Sequence, residues 1–304
     1  LNNDIGHLFL IAMGKIIESS ELVINDDGSV YHLHLLPDDI AETIILVGDP
    51  ERVPQVAKHF DKTDIIKSKR EFVTHTGWIG SKRISVISTG IGTDNIDIVL
   101  NELDALANID LVNRQVKDKL KSLKIIRIGT SGSLQEDIPI DSLLVSSYGL
   151  GLDVLMNYYD YEQDDTTENL LSEIDDQLNL LFITPYLFKA PGNLLEQFTS
   201  TFASGITATC PGFYAPQGRI LRGEARFADI LNRLQETEIH PHRITNFEME
   251  TAGIYGLATL LGHEAISVNA ILANRVKQTF SKTPTETVER AIVNTLKVIS
   301  EITD

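Results

Sequence analysis

The chain has 304 residues, 42% of them hydrophobic and 23% charged, with a formal net charge of −17 and one cysteine. These proportions exclude a disordered or fibrous chain, and no apolar run approaches the roughly 18 residues that a membrane helix needs. The acidity argues against binding to nucleic acid or an anionic membrane, both of which require a basic face; the lone Cys210 excludes a disulfide framework and a cysteine-rich zinc site, and fits a reducing, cytoplasmic setting.

In chain order, residues 1–12 carry little pattern and Met13 offers an alternative start, so 1–12 are set aside as a start-site artefact. Residues 1–30 are expected to extend a single domain over 31–304. Asn25-Asp26-Asp27-Gly28 predicts a turn before Val30. The apolar run 44–47 predicts a strand ending at Gly48-Asp49-Pro50, followed by a helix marked by Val53, Val56, Ala57 and Phe60. Run 84–87 predicts a strand ending at Thr89-Gly90-Ile91-Gly92, and Ile96, Val99, Leu100, Leu103 and Leu106 then recur at helical spacing. Run 125–128 leads to a third glycine turn, Gly129-Thr130-Ser131-Gly132. Further strands are expected at 143–145, 206–208 and 265–272, and a closing helix at 285–299. Two stretches read as insertions: the acidic 163–180, and the polar 235–243 with His240 and His242, a solvated loop because no carboxylate or cysteine stands at metal-ligand spacing. Strand-like runs alternating with helical patterns indicate a sheet covered on both faces, an α/β fold in layers.

The chemistry is narrowed first by absences. There is no G-x-x-x-x-G-K-[ST] phosphate loop, no G-x-G-x-x-G after a first strand and no G-x-S-x-G elbow, which argues against an ordinary ATPase, a dinucleotide enzyme and a serine hydrolase. Glycines after strands let the backbone approach a ligand at the carboxyl ends of an open sheet. Arg52 follows the first of these turns, Arg127 precedes the third, and Arg70 lies in Lys69-Arg70-Glu71-Phe72. Arginine beside a glycine turn in so acidic a chain suggests an oxyanion site, since guanidinium matches phosphate with paired donors; a surface ion pair is the alternative for each. Glu248 and Glu250 precede the small-residue run 251–258, which reads as a buried helix. These carboxylates either cap that helix or accept hydrogen bonds from ligand hydroxyls.

Five segments together resemble the nucleoside phosphorylase-I family, over about residues 31–296: Gly48-Asp49-Pro50-Glu51-Arg52-Val53, Arg70-Glu71-Phe72, Ser88-Thr89-Gly90-Ile91-Gly92, Arg127-Ile128-Gly129-Thr130-Ser131-Gly132 and Phe247-Glu248-Met249-Glu250. The resemblance is closest to the uridine-cleaving branch. It implies a three-layer α/β/α domain around a distorted mixed sheet. It also implies active sites completed by a neighbouring subunit, with a homodimer as the minimal unit and a hexamer as a larger assembly. Gly48, Arg52, Arg127 and Thr130 match the family's phosphate ligands, and Arg70 the phosphate arginine donated by the partner chain. His32 matches the histidine that reaches across to the ribose 5′-hydroxyl. Ser131, Met249 and Glu250 match the ribose contacts, with Glu250 on the 2′- and 3′-hydroxyls.

Phe213-Tyr214-Ala215-Pro216-Gln217-Gly218-Arg219 is similar to the branch's uracil-recognition segment, with Phe213, Gln217 and Arg219 on the base. Asn274 stands where purine-cleaving members resemble one another in carrying an aspartate. Pro216 and Gly218 depart from the branch, which usually has glycine and an acidic residue there. The family's monovalent-cation position is similar to Glu71, the Ile91 carbonyl and Asn95; the asparagine replaces the usual serine, which argues against potassium. The implied reaction is reversible phosphorolysis of uridine to uracil and ribose 1-phosphate, with inorganic phosphate as co-substrate and no cofactor. Arg127, Arg219 and Glu250 would carry the catalysis. A purine or broad-specificity phosphorylase, a water-using nucleosidase and a catalytically silent nucleoside- or phosphate-binding protein are the competing readings.

Overall fold

The computed structural model describes residues 16–301, so the readings on residues 1–12 and Met13 lie outside the described residues. The strands in chain order are β1 (Thr43–Val47), β2 (Lys62–Lys69), β3 (Phe72–Ile79), β4 (Lys82–Ser88), β5 (Ile109–Asp110), β6 (Gln115–Val116), β7 (Lys124–Ser133), β8 (Leu143–Gly151), β9 (Tyr186–Lys189), β10 (Ala203–Thr209), β11 (Ile244–Glu248), β12 (Glu264–Asn274) and β13 (Thr279–Phe280). The helices are α1 (Arg52–Ala57), α2 (Thr93–Asn108), α3 (Asp165–Leu178), α4 (Gly192–Thr199), α5 (Ile230–Glu236), α6 (Thr251–Leu260) and α7 (Pro284–Glu301).

β1 reads Thr-Ile-Ile-Leu-Val and is buried at every position. Such an unbroken apolar, β-branched run has no solvent face to satisfy and belongs in the middle of a parallel sheet covered on both sides. It lies between β4 and β7, parallel to both, with Val47 opposite Ser88 and Leu46 opposite Arg127. Beyond β4 the sheet continues antiparallel through β3 to β2. On the other side of β1 the sheet runs β7, β11, β10, β8 and β12, and β12 pairs again with β7 along most of its length. That part of the sheet therefore closes on itself, and the central layer is mixed and distorted, as the α/β reading expects.

The helices pack on this sheet. α6 is buried from Thr251 to Ala258 and packs on α2, β8 and β12; its small residues are what allow the close approach, since a side chain at Gly256 or Gly253 would press into Met156 or Thr93. α7 packs on β12 and β7. Leu33 and Leu35 join the main core, so the chain just after Val30 is integral to the domain.

Three expectations need correction. Gly129-Thr130-Ser131-Gly132 is no turn: β7 runs through it, paired with β12 from Gly129↔Asn269 onward. The stretch 163–180 is no loose insertion, because α3 occupies it. Asp164 accepts the Thr167 N–H at 3.0 Å as an N-cap, and Leu170, Ile174 and Leu178 fall on one buried face of a second core cluster. The stretch 235–243 is only partly solvated: α5 enters it, and Ile239 is buried. β2, β3, β9 and β11 add strands the sequence reading did not assign.

Candidate active site

A cleft of about 580 Å³ opens at the carboxyl ends of β1, β4, β11 and β12 and along the far half of β7. It gathers Gly48, Arg52, Arg127, Thr130, Ser131, Phe213, Gln217, Arg219, Met249 and Glu250 from segments as far apart as β1 and α6.

Arg127 is the most enclosed of the arginines among these, 5% exposed. Its Nη2 donates to Glu250 Oε2 at 2.5 Å and lies 2.9 Å from Glu248 Oε2, while Nη1 faces Ser267 Oγ at 3.5 Å and Asn269 Oδ1 at 3.4 Å. The side chain folds back across its own strand, and a β-carbon at Gly129 would collide with the guanidinium. Glycine is required there for side-chain space, with no turn involved. Burial alone would lower the Arg127 pKa, but the two carboxylates outweigh it and hold the value above the ordinary arginine range.

The two glutamates divide the roles that their sequence position left open. Glu248 accepts the N–H groups of Glu250 and Thr251 at 2.9 and 3.0 Å and the Thr209 hydroxyl at 2.7 Å, so it caps α6. Glu250 also lines the cleft; its Oε1 accepts the Gly92 N–H at 2.9 Å, tying the start of α2 to the site. Burial holds its pKa above the ordinary glutamate value against the pull of Arg127.

At one end of the cleft, Gly48 and Gly90 end two adjacent parallel strands, and Gly48 packs so close to the Gly90 carbonyl that a side chain would crowd it. Arg52 begins α1 beside them, its Nη1 donating, among the described residues, to the Ile128 carbonyl at 3.3 Å. Its pKa is lowered by burial and then by the neighbouring Arg127 charge, against the opposite pull of Asp49 and Glu250. Thr130 lines the same region.

At the other end the wall is aromatic. The Arg219 guanidinium stacks 3.7 Å from the Phe213 ring centre, and its Nη1 donates to Gln217 Oε1 at 2.6 Å and to the Phe213 carbonyl at 2.8 Å. Arg275 donates to the Gln217 carbonyl at 3.1 Å and lies over Phe247. Burial, then the Arg275 charge, bring the Arg219 pKa down to about 10. Phe247 and Phe280 complete the wall. The sequence reading gave Phe280 no role, and no motif could have found it: it reaches the cleft only because β13 folds back on β12.

The other expected residues lie elsewhere. Arg70 sits exposed at the β2–β3 turn with φ 55°. His32, half-buried, donates through Nδ1 to Glu102 Oε1 at 2.7 Å. Neither lines this chain's cleft. Asn274 faces away from the cleft: its amide donates to the Gln135 and Ile138 carbonyls and its oxygen accepts the Lys277 N–H, so it fixes a loop. Glu71 and Asn95 flank Gly90, and Ile91 is exposed on the cleft rim. Among the described residues, no group of three or more histidine, cysteine or acidic side chains could hold a metal ion.

A strand-end cleft with arginines and glycines at one end, a buried glutamate in the middle and an aromatic wall at the other defines a phosphate- and nucleoside-type site. Residues 42–304 match the phosphorylase superfamily, and the chain belongs to it. It is 30% identical over 283 residues to the uridine phosphorylase of Thermococcus kodakarensis, covering 93% of this chain and 91% of that one. Identity to the Escherichia coli uridine phosphorylase is 27% over 279 residues, 90% and 96% of the two chains. A DeoD-type purine nucleoside phosphorylase of Buchnera aphidicola is 25% identical over 241 residues, 79% and 85% of the two. Among solved structures, a Trypanosoma brucei nucleoside phosphorylase described as showing uridine phosphorylase activity superposes with a TM-score of 0.85 at 28% identity, covering 92% of this chain and all of that one.

Proposed function

We propose that this chain is a uridine phosphorylase, a pentosyltransferase that converts uridine and phosphate reversibly to uracil and ribose 1-phosphate. The observation that carries this reading is the polarity of the strand-end cleft: cationic donors at the strand-end glycines, Glu250 between, and the Gln217–Arg219 pair against aromatic rings.

Phosphate would lie against Gly48, Arg52 and Thr130, with Arg127 behind it, and attack C1′ from the face opposite the base. The glycosidic bond breaks with oxocarbenium character, so the cleft's work is positioning and charge. Glu250, pinned by Gly92 and Arg127, accepts from the ribose hydroxyls beside Met249 and Ser131. Phe213 provides a face for the base. Arg219, a donor only, stabilises the charge that develops on a uracil carbonyl. Gln217 Oε1 gives one lone pair to Arg219 and keeps another for the base N–H, while its amide nitrogen donates to a carbonyl. Among the described residues lining the base end, no carboxylic acid is placed to protonate a purine nitrogen, which favours a pyrimidine leaving group; the engaged amide of Asn274 does not supply one.

Arg70 and His32 lie off the cleft, which supports a site completed by the neighbouring subunit, with a homodimer as the minimal active unit. The acidity of the chain and the lone buried cysteine support a cytoplasmic setting; no described helix is long and apolar enough to cross a membrane. Phosphate and nucleoside are the only small molecules the reaction requires. The test is uracil release from uridine with and without phosphate, beside hypoxanthine release from inosine. Phosphate-dependent release with uridine far ahead is expected, and equal or reversed rates would overturn the pyrimidine assignment.

A further inference from the structure

Beneath the cleft a chain of side-chain hydrogen bonds crosses the closed part of the sheet. Arg127 Nη1 donates to Asn269 Oδ1 at 3.4 Å, and Asn269 Nδ2 donates to Ser146 Oγ at 3.0 Å. Ser146 Oγ lies 2.6 Å from Thr207 Oγ1, which donates to Asn246 Oδ1 at 3.0 Å; Asn246 Nδ2 then donates to Ser131 Oγ at 3.0 Å. Asn269, Ser146, Thr207 and Asn246 are all wholly buried. Both ends, Arg127 and Ser131, line the cleft.

Arginine has donors and no acceptor, so Asn269 must turn its oxygen to Arg127 and its amide nitrogen to Ser146. Either hydroxyl of the Ser146–Thr207 pair can be the donor, but the Asn246 oxygen faces two hydroxyls, Thr207 at 3.0 Å and Thr245 at 2.8 Å, and accepts there. That leaves the Asn246 nitrogen for Ser131. Ser131 Oγ therefore accepts from below, and among the described residues its own hydroxyl proton has no acceptor. The direction open to that proton is the cleft.

We propose that Asn246 is a positioning residue: it commits the Ser131 hydroxyl to donate into the cleft, to an oxygen of the bound nucleoside. The recipient is the nucleoside, not phosphate, because Ser131 and Asn246 belong to the aromatic end. Gly132, next to Ser131, pairs with Phe247, next to Asn246. The inference rests on the nucleoside phosphorolysis proposed above.

The test is Asn246→Asp, which is nearly isosteric and can still accept from Thr207 but can no longer donate to Ser131. The carboxylate would draw the Ser131 proton down and away from the ligand. Initial rates with both substrates varied, and calorimetric binding of uridine, are compared for wild type, Asn246→Asp, Ser131→Ala and the double variant. Loss of one neutral hydrogen bond should raise the uridine KM and Kd about five- to tenfold, and move kcat and the phosphate KM by less than about twofold. The double variant should be no worse than either single, because both remove the same donor. Ser131→Thr should keep near-wild-type binding. Should Asn246→Asp not fold, Asn246→Ala carries the same cycle with Ser131→Ala. Wild-type uridine affinity in the Asn246 variant, additive losses in the double, or a rise confined to the phosphate KM would each overturn the inference. A wild type that binds uridine but shows no phosphate-dependent cleavage would overturn the functional reading instead, and the binding cycle would still decide the role of Asn246.

Discussion

Replacing Arg127 by alanine should damage stability and activity together, whereas replacing Arg52 should damage activity almost alone. Arg127 is 5% exposed and neutralises two carboxylates, at 2.5 and 2.9 Å. Removing one partner of a buried ion pair costs about 3–5 kcal/mol, because the other charge stays buried without compensation. For a chain of this size that corresponds to a fall in Tm of roughly 5–8 °C. Arg52 makes a single long hydrogen bond to a carbonyl, so its loss should cost no more than about 1 kcal/mol. Both variants should raise the phosphate KM and lower kcat/KM, by about 100- to 1000-fold if each donor acts on developing charge. The Arg127→Ala defect also carries a pH signature. Burial already raises the Glu250 pKa, and Arg127 is what restrains it. Without Arg127 the folded-state value climbs further above the unfolded one, so the folded variant holds a proton more tightly than the unfolded chain. Its stability is then highest below about 4.5, the ordinary glutamate value, and falls as pH rises from there through the raised folded value. The gap to wild type, measured by thermal melts from pH 5 to 8.5, should therefore widen with pH. A variant that melts with wild type, or with a deficit independent of pH, would show that Glu248 and Glu250 do not depend on Arg127.

Gly129→Ala should behave as a milder Arg127 defect, because the added methyl displaces the guanidinium from Glu250: about 1–3 kcal/mol of stability and a clear loss of turnover. A fully active Gly129→Ala enzyme would contradict the folded-back Arg127 conformation. Burial and the Arg275 charge bring the Arg219 pKa down to about 10, so uridine kcat/KM should carry a loss near that pH beyond the one set by ionisation of uridine's own N3–H, and this extra loss should be missing in Arg219→Met; an identical alkaline limb in both would assign it to another group. Ile174→Ala, on the buried face of α3, should cost about 2–5 kcal/mol in urea unfolding while leaving KM unchanged. A cost near zero would restore the view of 163–180 as a dispensable insertion.

The strands around the cleft were legible because Ile44–Val47 of β1 is a continuous apolar run and β4, β7 and β12 are rich in apolar, β-branched residues, as a sheet buried on both faces requires. β2 was not, since as an edge strand it is largely exposed and polar. α3 was obscured by its acidic surface, although Leu170, Ile174 and Leu178 follow helical spacing and Asp164 stands as a cap. At the site, the resemblance to the phosphorylase family brought Arg52, Arg127, Gln217, Arg219 and Glu250 forward as ligands, and they do share one cleft. What sequence could not give was the packing between segments. Gly129 looks like a turn glycine until the Arg127 side chain is seen lying over it. Glu248 and Glu250 look equivalent until their partners separate them. The relay from Arg127 to Ser131 joins five strands, and no local pattern in any of them announces it.

The central claim is that phosphate, and not water, takes the ribosyl group. A single phosphorus NMR time course on purified protein with uridine and inorganic phosphate tests it most directly. The account predicts that a ribose 1-phosphate resonance grows in step with uracil, mole for mole, while the phosphate signal falls, and that uracil ceases to form when phosphate is omitted. Uracil appearing without ribose 1-phosphate, or at the same rate in phosphate-free buffer, would contradict it.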